Sequence, residues 1–526
     1  MSSLTQRFNE LVQVSRELSG DKPLPLLFQG VIDIVCRSTG ADGGTLYMYD
    51  NKHNTLKAVL LTNISLEMHS VVEEFDPLSV SGFIEVPLGE EDGGQSAKIS
   101  ASAFLQRQVI AIKDVSENQQ FDFAGVRAFD KQNNYSTERI IAIPLNANNT
   151  MVGVMQIINP AKECLETDYL EFMEILSGQI AIALNNAVLI RESENLLGAV
   201  VQMIGMAIDE KSPHTAGHCY RVTELTMMLA DATVKQTEGP FAGFVMDEVE
   251  REELRMAALL HDVGKVITPN HILEKRTKLY SLTDRIEMLN ERVHAWATST
   301  ELDSLKKAVK DAGHGHLIDE AVKNAKTLPL DDIEFLDSVN KGLINMSDDT
   351  VEKLEDISHR TINRLKDKTK KRLVKEDIIT KQDLANLRTF RGTLNPEERK
   401  IMEDHVKSSI RLLSSIPWPF KYSKLVEYAG HHHEKMDGTG YPNKVPGREM
   451  SVPARMLGIA DRFEGMSAPD RPYRSRKMTL AQVMKIMDNM SKDGEIDPDL
   501  FHVFRDSKIY LDYGRKYLDE SLIDCD

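Results

Sequence analysis

Apolar residues recur three and four apart from Leu4 to about Arg37 (Phe8, Leu11, Val12, then Leu26, Leu27, Val31, Ile34, Val35), and the spacing breaks between Gly20 and Pro25. That period predicts two helices. Short β-rich runs follow at Gly44 to Tyr49, Leu56 to Leu61, Gln108 to Lys113, Ile140 to Leu145 and Met151 to Ile158. The last two are separated by the turn-rich Asn146 to Thr150 and read as a hairpin. A helix from about Thr167 then carries apolar residues to Ile190 and beyond, so residues 1–190 read as an α+β domain.

The helical stripe does not stop at the domain edge. Ile180, Ala183, Leu184, Ala187, Val188, Leu196, Leu197, Val200, Val201 and Ile204 continue it without a proline, and Gly198 is its one weak point. Residues 191–213 therefore read as a connecting helix, which would couple two domains and pair two chains in a parallel homodimer. A single helix packed on its own domain is the other reading. Further on, apolar runs close at Leu260 and Ala460, and Asn395-Pro396-Glu397-Glu398 opens another helix with Asn as cap and Pro at the first position. These segments predict an all-α domain over 200–279 and 393–526. Residues 280–392 interrupt it with a charged, helical pattern (Leu289, Val293, Trp296, Leu302; Val351, Leu354, Ile357, Ile362). His294, His314, His316 and His359 fall in this insertion, and the Gly-bearing HGH run reads as a solvated loop. Capping a site, extending a dimer interface and binding a partner are all open to it.

The order of the N-terminal elements, with IIAIPLNANNTMVGVMQIINP followed by a helix ending QIAIALNNAVL, resembles a GAF domain over about residues 5–190. The resemblance implies either a small ligand, such as a cyclic nucleotide, haem or bilin, or dimerisation alone. The Asn-Lys, Phe, Asp-Glu arrangement of cyclic-nucleotide-binding members is missing, because Asn159 precedes Pro160 and no Phe precedes an Asp-Glu pair. The ligand is left unnamed. Cys36, in an apolar helical context, reads as core.

Composition narrows the class. The 526 residues are too many for one core, and 81 acidic against 64 basic residues give a net charge of −17. That excludes a general binder of nucleic-acid polymers or anionic membranes, and a phosphate-bearing ligand would need a local basic pocket. Cys36, Cys164, Cys219 and Cys525 form no paired spacing, which fits a reducing compartment. With no basic-then-apolar leader and no uninterrupted apolar run of about 18 residues, the expected location is the cytoplasm, off the membrane.

The chemistry is concentrated in His431 to Pro442, HHHEKMDGTGYP, where three imidazoles precede Glu434 and Asp437 and two glycines and a proline force a turn. His214 and His218 stand four apart, on one helical face. HDVGK (His261 to Lys265) closes a strongly apolar helix, His405 lies on the helix opened at Asn395, and Asp461 ends the apolar run Met456 to Ala460. Together they offer nitrogen and oxygen ligands for hard-to-borderline divalent metals, with no thiolate.

This combination resembles the HD-GYP family of metal-dependent phosphodiesterases, a branch of the HD superfamily. HDVGK, HHE (His432 to Glu434), DGTGYP (Asp437, Gly438, Gly440, Tyr441, Pro442) and DRPYR (Asp470 to Arg474) occur in the family's order. The resemblance implies metal ligands at His218, His261, Asp262, His405, His432, His433 and Asp461, with Asp262 bridging. His214 stands where three-metal members carry a Glu. Imidazole cannot bridge two ions, so two metals are expected, with a third at His214 left open. Iron or manganese is implied, although the set would also take Zn or Ni. Such a pair can activate a water and polarise phosphoryl oxygens. Lys265, one turn beyond Asp262, would neutralise a non-bridging oxygen. Arg471 and Arg474 match positions that contact substrate phosphates, and Tyr441 would pack on a guanine or hold the loop. The implied reaction opens cyclic di-GMP to pGpG, and in some members GMP, and related 3′,3′ cyclic dinucleotides are also open. The competing reading is a silent adaptor that binds the dinucleotide, or a diguanylate cyclase through the GYP loop.

Overall fold

The structure is a computed structural model. It describes residues 23–73, 75, 80, 82–89, 98–211, 217–311, 330–344, 346–367, 372–390, 392–468 and 477–525. The chain divides into two compact units, Met1–Leu197 and Gly198–Asp526.

The first unit is built on an antiparallel sheet in the order β3-β2-β1-β7-β6-β5, with β4 also paired to β2. Its strands are β1 Gly43–Asp50, β2 Thr55–Asn63, β3 Met68–Val71, β4 Glu85–Pro87, β5 Ile110–Ile112, β6 Ile140–Ala147 and β7 Thr150–Ile158. The β6–β7 hairpin closes Ala147 onto Thr150 through Asn148 and Asn149, both at positive φ. Asparagine tolerates that conformation, and its twist matches the strands it joins. Along β6 successive residues feed opposite cores. Ile141 and Ile143 pack beneath α1 (Leu24–Thr39) and the helix from Thr167, whereas Ile140 and Ala142 pack with Phe104 of α2 (Ile99–Gln106) and Phe123, which precedes α3 (Ala124–Asn133). A sheet covered on both faces explains why IIAI is continuously apolar rather than alternating. Cys36 lies in the first of these cores, and burial pushes its thiol up to about 12. Between the sheet and α2–α3 lies a cavity of about 220 Å³, lined by Thr45, Tyr47, Asn63, Phe123, Phe129 and Gln156 among others. The first of the two expected N-terminal helices lies outside the described residues, and the second begins at Leu24 with Pro25 in its first turn.

Helix α4, Thr167–Glu210, runs unbroken for 44 residues. Its N-terminal part buries Phe172, Met173, Leu176, Ile180 and Leu184 in the sheet core. One 18-residue window has a mean hydropathy of 1.4, long and apolar enough to cross a bilayer by length and composition alone. Counting uninterrupted apolar residues misses it, because Ser177, Gln179, Asn185 and Asn186 intervene. Only 33% of that window is buried, so its seat in the sheet core accounts for part of that composition.

The second unit is mainly helical. Around the candidate site stand α5 (His218–Val234), α6 (Glu248–Leu260), a 3-10 turn at Val263–Val266 and three helices described below. The Asp247 carboxylate caps α6 by accepting the Glu250 N–H at 2.8 Å. Residues 280–392 have a core of their own, with Leu289, Val293, Leu336, Val339, Leu354 and Ile357 among its members. It is formed by α7 (Ile286–Lys310), a helical segment over 330–340, α8 (Asp348–Ser358) and α9 (Lys381–Leu387). One part departs from the helical expectation, for Ile362 belongs to a hairpin, β8 (Thr361–Asp367) with β9 (Arg372–Asp377). His359 ends α8, its Nδ1 on the Glu355 carbonyl at 2.7 Å, and His314 and His316 lie outside the described residues.

Candidate metal centre

Five segments bring the donors together. His218 is the first residue of α5; His261 is the C-cap of α6, and Asp262 follows it. His405 lies on α10 (Pro396–Ser414), where Asn395 and Glu398 form a capping box. His432 and His433 follow the short α11 (Leu425–Gly430), and Asp461 sits within α12 (Val452–Ser467). Close approach of the 3-10 turn to α10 depends on Gly264. A Cβ there would stand 1.9 Å from the His405 carbonyl oxygen, and the Gly264 N–H donates to Ser409 Oγ at 2.9 Å. Any side chain at residue 264 would push Asp262 away from His405.

Four of the five imidazoles are aimed by a fixed acceptor. The Nδ1 atoms of His261, His405 and His432 lie 2.7, 2.5 and 2.6 Å from the carbonyl oxygens of Ala258, Met402 and Ala429. A carbonyl can only accept, so these rings carry hydrogen on Nδ1 and turn an Nε2 lone pair inward. His218 Nδ1 meets Glu464 Oε2 at 2.5 Å, and Arg221 grips the other Glu464 oxygen at 2.6–2.7 Å. His218 Nε2 and His261 Nε2 lie 3.3 and 3.2 Å from Asp262 Oδ2, while His405 Nε2 lies 3.2 Å from Asp262 Oδ1. The Asp262 carboxylate thus faces two groups at once. Those groups are His218, His261 and Asp262 on one side and His405, His432 and His433 on the other, each with ligand atoms within 4.8 Å of one another. Asp461 adds Oδ1 at 3.4 Å from His218 Nε2 and Oδ2 at 3.7 Å from His433 Nδ1.

The donors fit divalent cations. His261 Nε2, His405 Nε2, His432 Nε2 and Asp262 Oδ1 are buried and make no hydrogen bond. Leaving even one such group unsatisfied costs about 1–3 kcal/mol, and several lone pairs converging in one place are what a cation requires. Burial, with help from His261, lowers His432 to about 3, and burial drives His433 the same way, so both rings stay neutral. Burial opposes charge on His261 too, but with no cation present Asp262 and Asp461 outweigh it and raise that ring to about 9, so a metal ion would take the place of the Nε2 proton there. Burial would raise Asp262, yet His261 and Lys265 hold it well below the carboxylate range.

Not every acidic or imidazole group of HHHEKMDGTGYP joins the cluster. His431 faces Glu427, 4.0 Å away, and buried Glu434 accepts the backbone N–H groups of Asn443 (2.7 Å) and Val445 (3.1 Å). Glu434 therefore folds the loop and is not a ligand. Asp437 is outside the cluster as well, its Oδ1 accepting the Thr439 N–H at 2.8 Å while Gly438 turns at φ +76°. A Cβ on Gly440 would come within 2.5 Å of Glu434 Cα, so the loop folds back tightly. That return lays the Tyr441 ring 4.8 Å from the His433 ring, ahead of Pro442. The Lys265 ammonium is hydrogen-bonded to Asp262 Oδ2. His214, Arg471 and Arg474 lie outside the described residues. Three residues that motif reading passes over prove structural to the site: Arg221, Glu464 and Arg462, the last donating to the carbonyls of His432 (2.7 Å), Gly458 and Glu434 (both 2.9 Å). Spacing held a partial signal, since Arg221 and Glu464 each stand three residues beyond a donor, on its helical face.

A family profile described as GAF domain matches residues 22–185, and two described as HD domain match residues 215–338 and 382–500. A 120-residue stretch is 37% identical to the 3'3'-cGAMP-specific phosphodiesterase 1 of Vibrio cholerae, covering 23% of this chain and 27% of that protein. An 86-residue stretch is 37% identical to a cyclic di-GMP phosphodiesterase of Thermotoga maritima, covering 16% of this chain and 23% of that one. The chain thus spans about a quarter of the length of the curated relatives it matches. Among solved structures, the GAF domain of an Acinetobacter phosphoenolpyruvate-protein phosphotransferase aligns over 36% of this chain and 98% of its own, at 14% identity and a TM-score of 0.26.

Proposed function

With a GAF domain ahead of an HD domain of the HD-GYP branch in one chain, we propose that this protein is a metal-dependent phosphodiesterase that opens a 3′,3′ cyclic dinucleotide. Cyclic di-GMP is the substrate we favour, with pGpG as first product and GMP as a further one. The observation that carries the reading is Asp262, whose two oxygens face two separate groups of inward-pointing imidazoles. His218, His261, Asp262, His405, His432, His433 and Asp461 would hold two divalent ions, iron or manganese, and a third would need His214. Such ions supply a nucleophile from water at neutral pH and polarise the phosphoryl oxygens.

The chain's own residues do the rest. Carbonyl-anchored Nδ1 atoms keep the rings from turning, and Glu464 and Arg221 do the same for His218. Lys265 keeps a positive charge at the edge of the cluster, suited to a non-bridging phosphate oxygen. Tyr441, stacked on His433, offers a flat wall beside the reacting phosphate, and Arg471 and Arg474 would supply the basic pocket that a chain of net charge −17 otherwise lacks. The GAF cavity is the natural seat of a regulatory ligand, α4 the natural seam of a homodimer, and the cytoplasm the fitting compartment for four free cysteines.

The test is metal analysis of anaerobically purified full-length protein, followed by incubation with cyclic di-GMP and with 3′,3′-cGAMP. The expected result is two bound ions per chain and a linear product from at least one substrate. Metal-loaded protein that binds the dinucleotide and leaves it intact would favour the adaptor, with a diguanylate cyclase as partner.

A further inference from the structure

Asp209, in the last turn of α4, and Lys211, just past its end, are charged residues that are not among the metal donors. Asp209 is buried, at 7% exposure, and its Oδ1 accepts the backbone N–H of Cys219 at 3.1 Å. Cys219 is in the first turn of α5, whose N-cap is Gly217, a residue with no side chain to satisfy that turn's N–H groups. A carboxylate from another helix therefore does the capping, and its charge suits the positive end of α5. The helix it caps begins with His218.

Two residues later, the Lys211 ammonium donates to the carbonyl oxygens of Lys265 at 2.7 Å and Thr268 at 2.8 Å, and also to that of Val266. These carbonyls end the turn that presents Asp262 and Lys265, within which Lys265 N–H bonds to the Asp262 carbonyl at 2.9 Å and Thr268 N–H to the Lys265 carbonyl at 3.1 Å. Three carbonyls aimed at one point repel one another unless a cation stands between them. The last turn of α4 and the residue just past it thus hold the backbone of two separate site elements, one by a carboxylate and one by an ammonium.

We propose that Asp209 and Lys211 are positioning residues for His218 and Lys265, which makes the placement of the α4 terminus a determinant of turnover. The inference rests on the phosphodiesterase reading only for its activity readout. Because α4 is continuous from Thr167, a change in its axial position or rotation acts on both site elements together.

The experiment uses full-length, metal-loaded protein carrying Lys211→Met, Lys211→Arg or Asp209→Asn. Lys211→Met is expected to lower kcat for cyclic di-GMP about tenfold while KM and metal content stay within about twofold, and Lys211→Arg to recover most of the loss. Amide hydrogen exchange gives a readout independent of turnover. In Lys211→Met, exchange over residues 262–268 should quicken about tenfold with the first turn of α5 unchanged, and Asp209→Asn should show the reverse. Unchanged exchange over 262–268 in Lys211→Met would overturn the proposal, as would a fall in kcat that tracks metal loss and is not rescued by arginine. If the wild type turns over no cyclic dinucleotide, the exchange pattern still decides the positioning roles, and only the phosphodiesterase reading falls.

Discussion

A single oxygen pair does the most at the residue scale. Asp262 is buried among His218, His261 and His405 and faces both donor groups, so Asp262→Ala should abolish metal retention and turnover together. Lys265 is hydrogen-bonded to Asp262 and is not itself a metal donor, so Lys265→Ala should keep the metals while lowering kcat about 10²-fold. Metal content by mass spectrometry beside kcat separates the two, and equal metal loss in both variants would remove Lys265 from its phosphate role. Glu464→Gln should weaken metal affinity about 10- to 100-fold, because it loosens the orientation of His218 without removing a ligand. Competition with a chromogenic chelator reads that change. The difference between these residues also marks what sequence can disclose. His and Asp at these spacings announce themselves by type, whereas Glu464, Arg221 and Arg462 act through carbonyls and ring nitrogens of residues remote in sequence. Glu434 shows the converse, since its place beside three histidines gives no hint that it serves the loop backbone.

At the scale of elements, local chemistry was the most readable. The Asn395 capping box, the Asn148-Asn149 hairpin and the helix from Thr167 follow from cap, turn and period. The β8–β9 hairpin did not, because Ile362 and Leu365 stand three apart, a helical spacing, and a register shift between Leu365 and Asp367 breaks strand alternation. Strand β1 supports a prediction with a pH signature. Burial would raise the Asp50 carboxyl, but hydrogen bonds from Lys57 (2.8 Å) and His53 (2.7 Å) outweigh it and hold it below its unfolded value of about 3.9. A depressed folded value means the stabilisation is fully present above about pH 4 and is lost as the pH falls through the folded value. Asp50→Asn should therefore cost about 1–3 kcal/mol at pH 7, and the gap to wild type should narrow below pH 4. Urea unfolding across that range measures it, and a gap that stays constant down to pH 2 would assign the effect to packing instead of charge.

For the whole molecule, the donor set spans His218 to Asp461 in sequence, and only the folding of α5, α6, α10, α11 and α12 onto one another makes it a site. The motifs carried a family resemblance that implied Asp262 as the shared carboxylate, whereas its facing both imidazole groups is a relation among helices that no spacing within one segment contains. The same distribution sets how stability should respond to metal. Every donor lies in the second unit, so removing the ions leaves converging lone pairs and like charges buried there and changes nothing in the sheet core of the first. A ligand that binds only the folded state contributes about 4 kcal/mol when present at about 1,000 times its dissociation constant. Calorimetry of the full chain before and after dialysis against a chelator should show two transitions, of which one falls by several degrees on metal removal and returns when Mn²⁺ is restored. The other should not move. Hydrogen exchange assigns them, with amides of α5 and α10 losing protection in the metal-free protein and those of β1, β6 and β7 keeping it. If the strands lost protection in parallel with α10, the two units would be thermodynamically coupled through α4, and the metal would stabilise the chain as a whole.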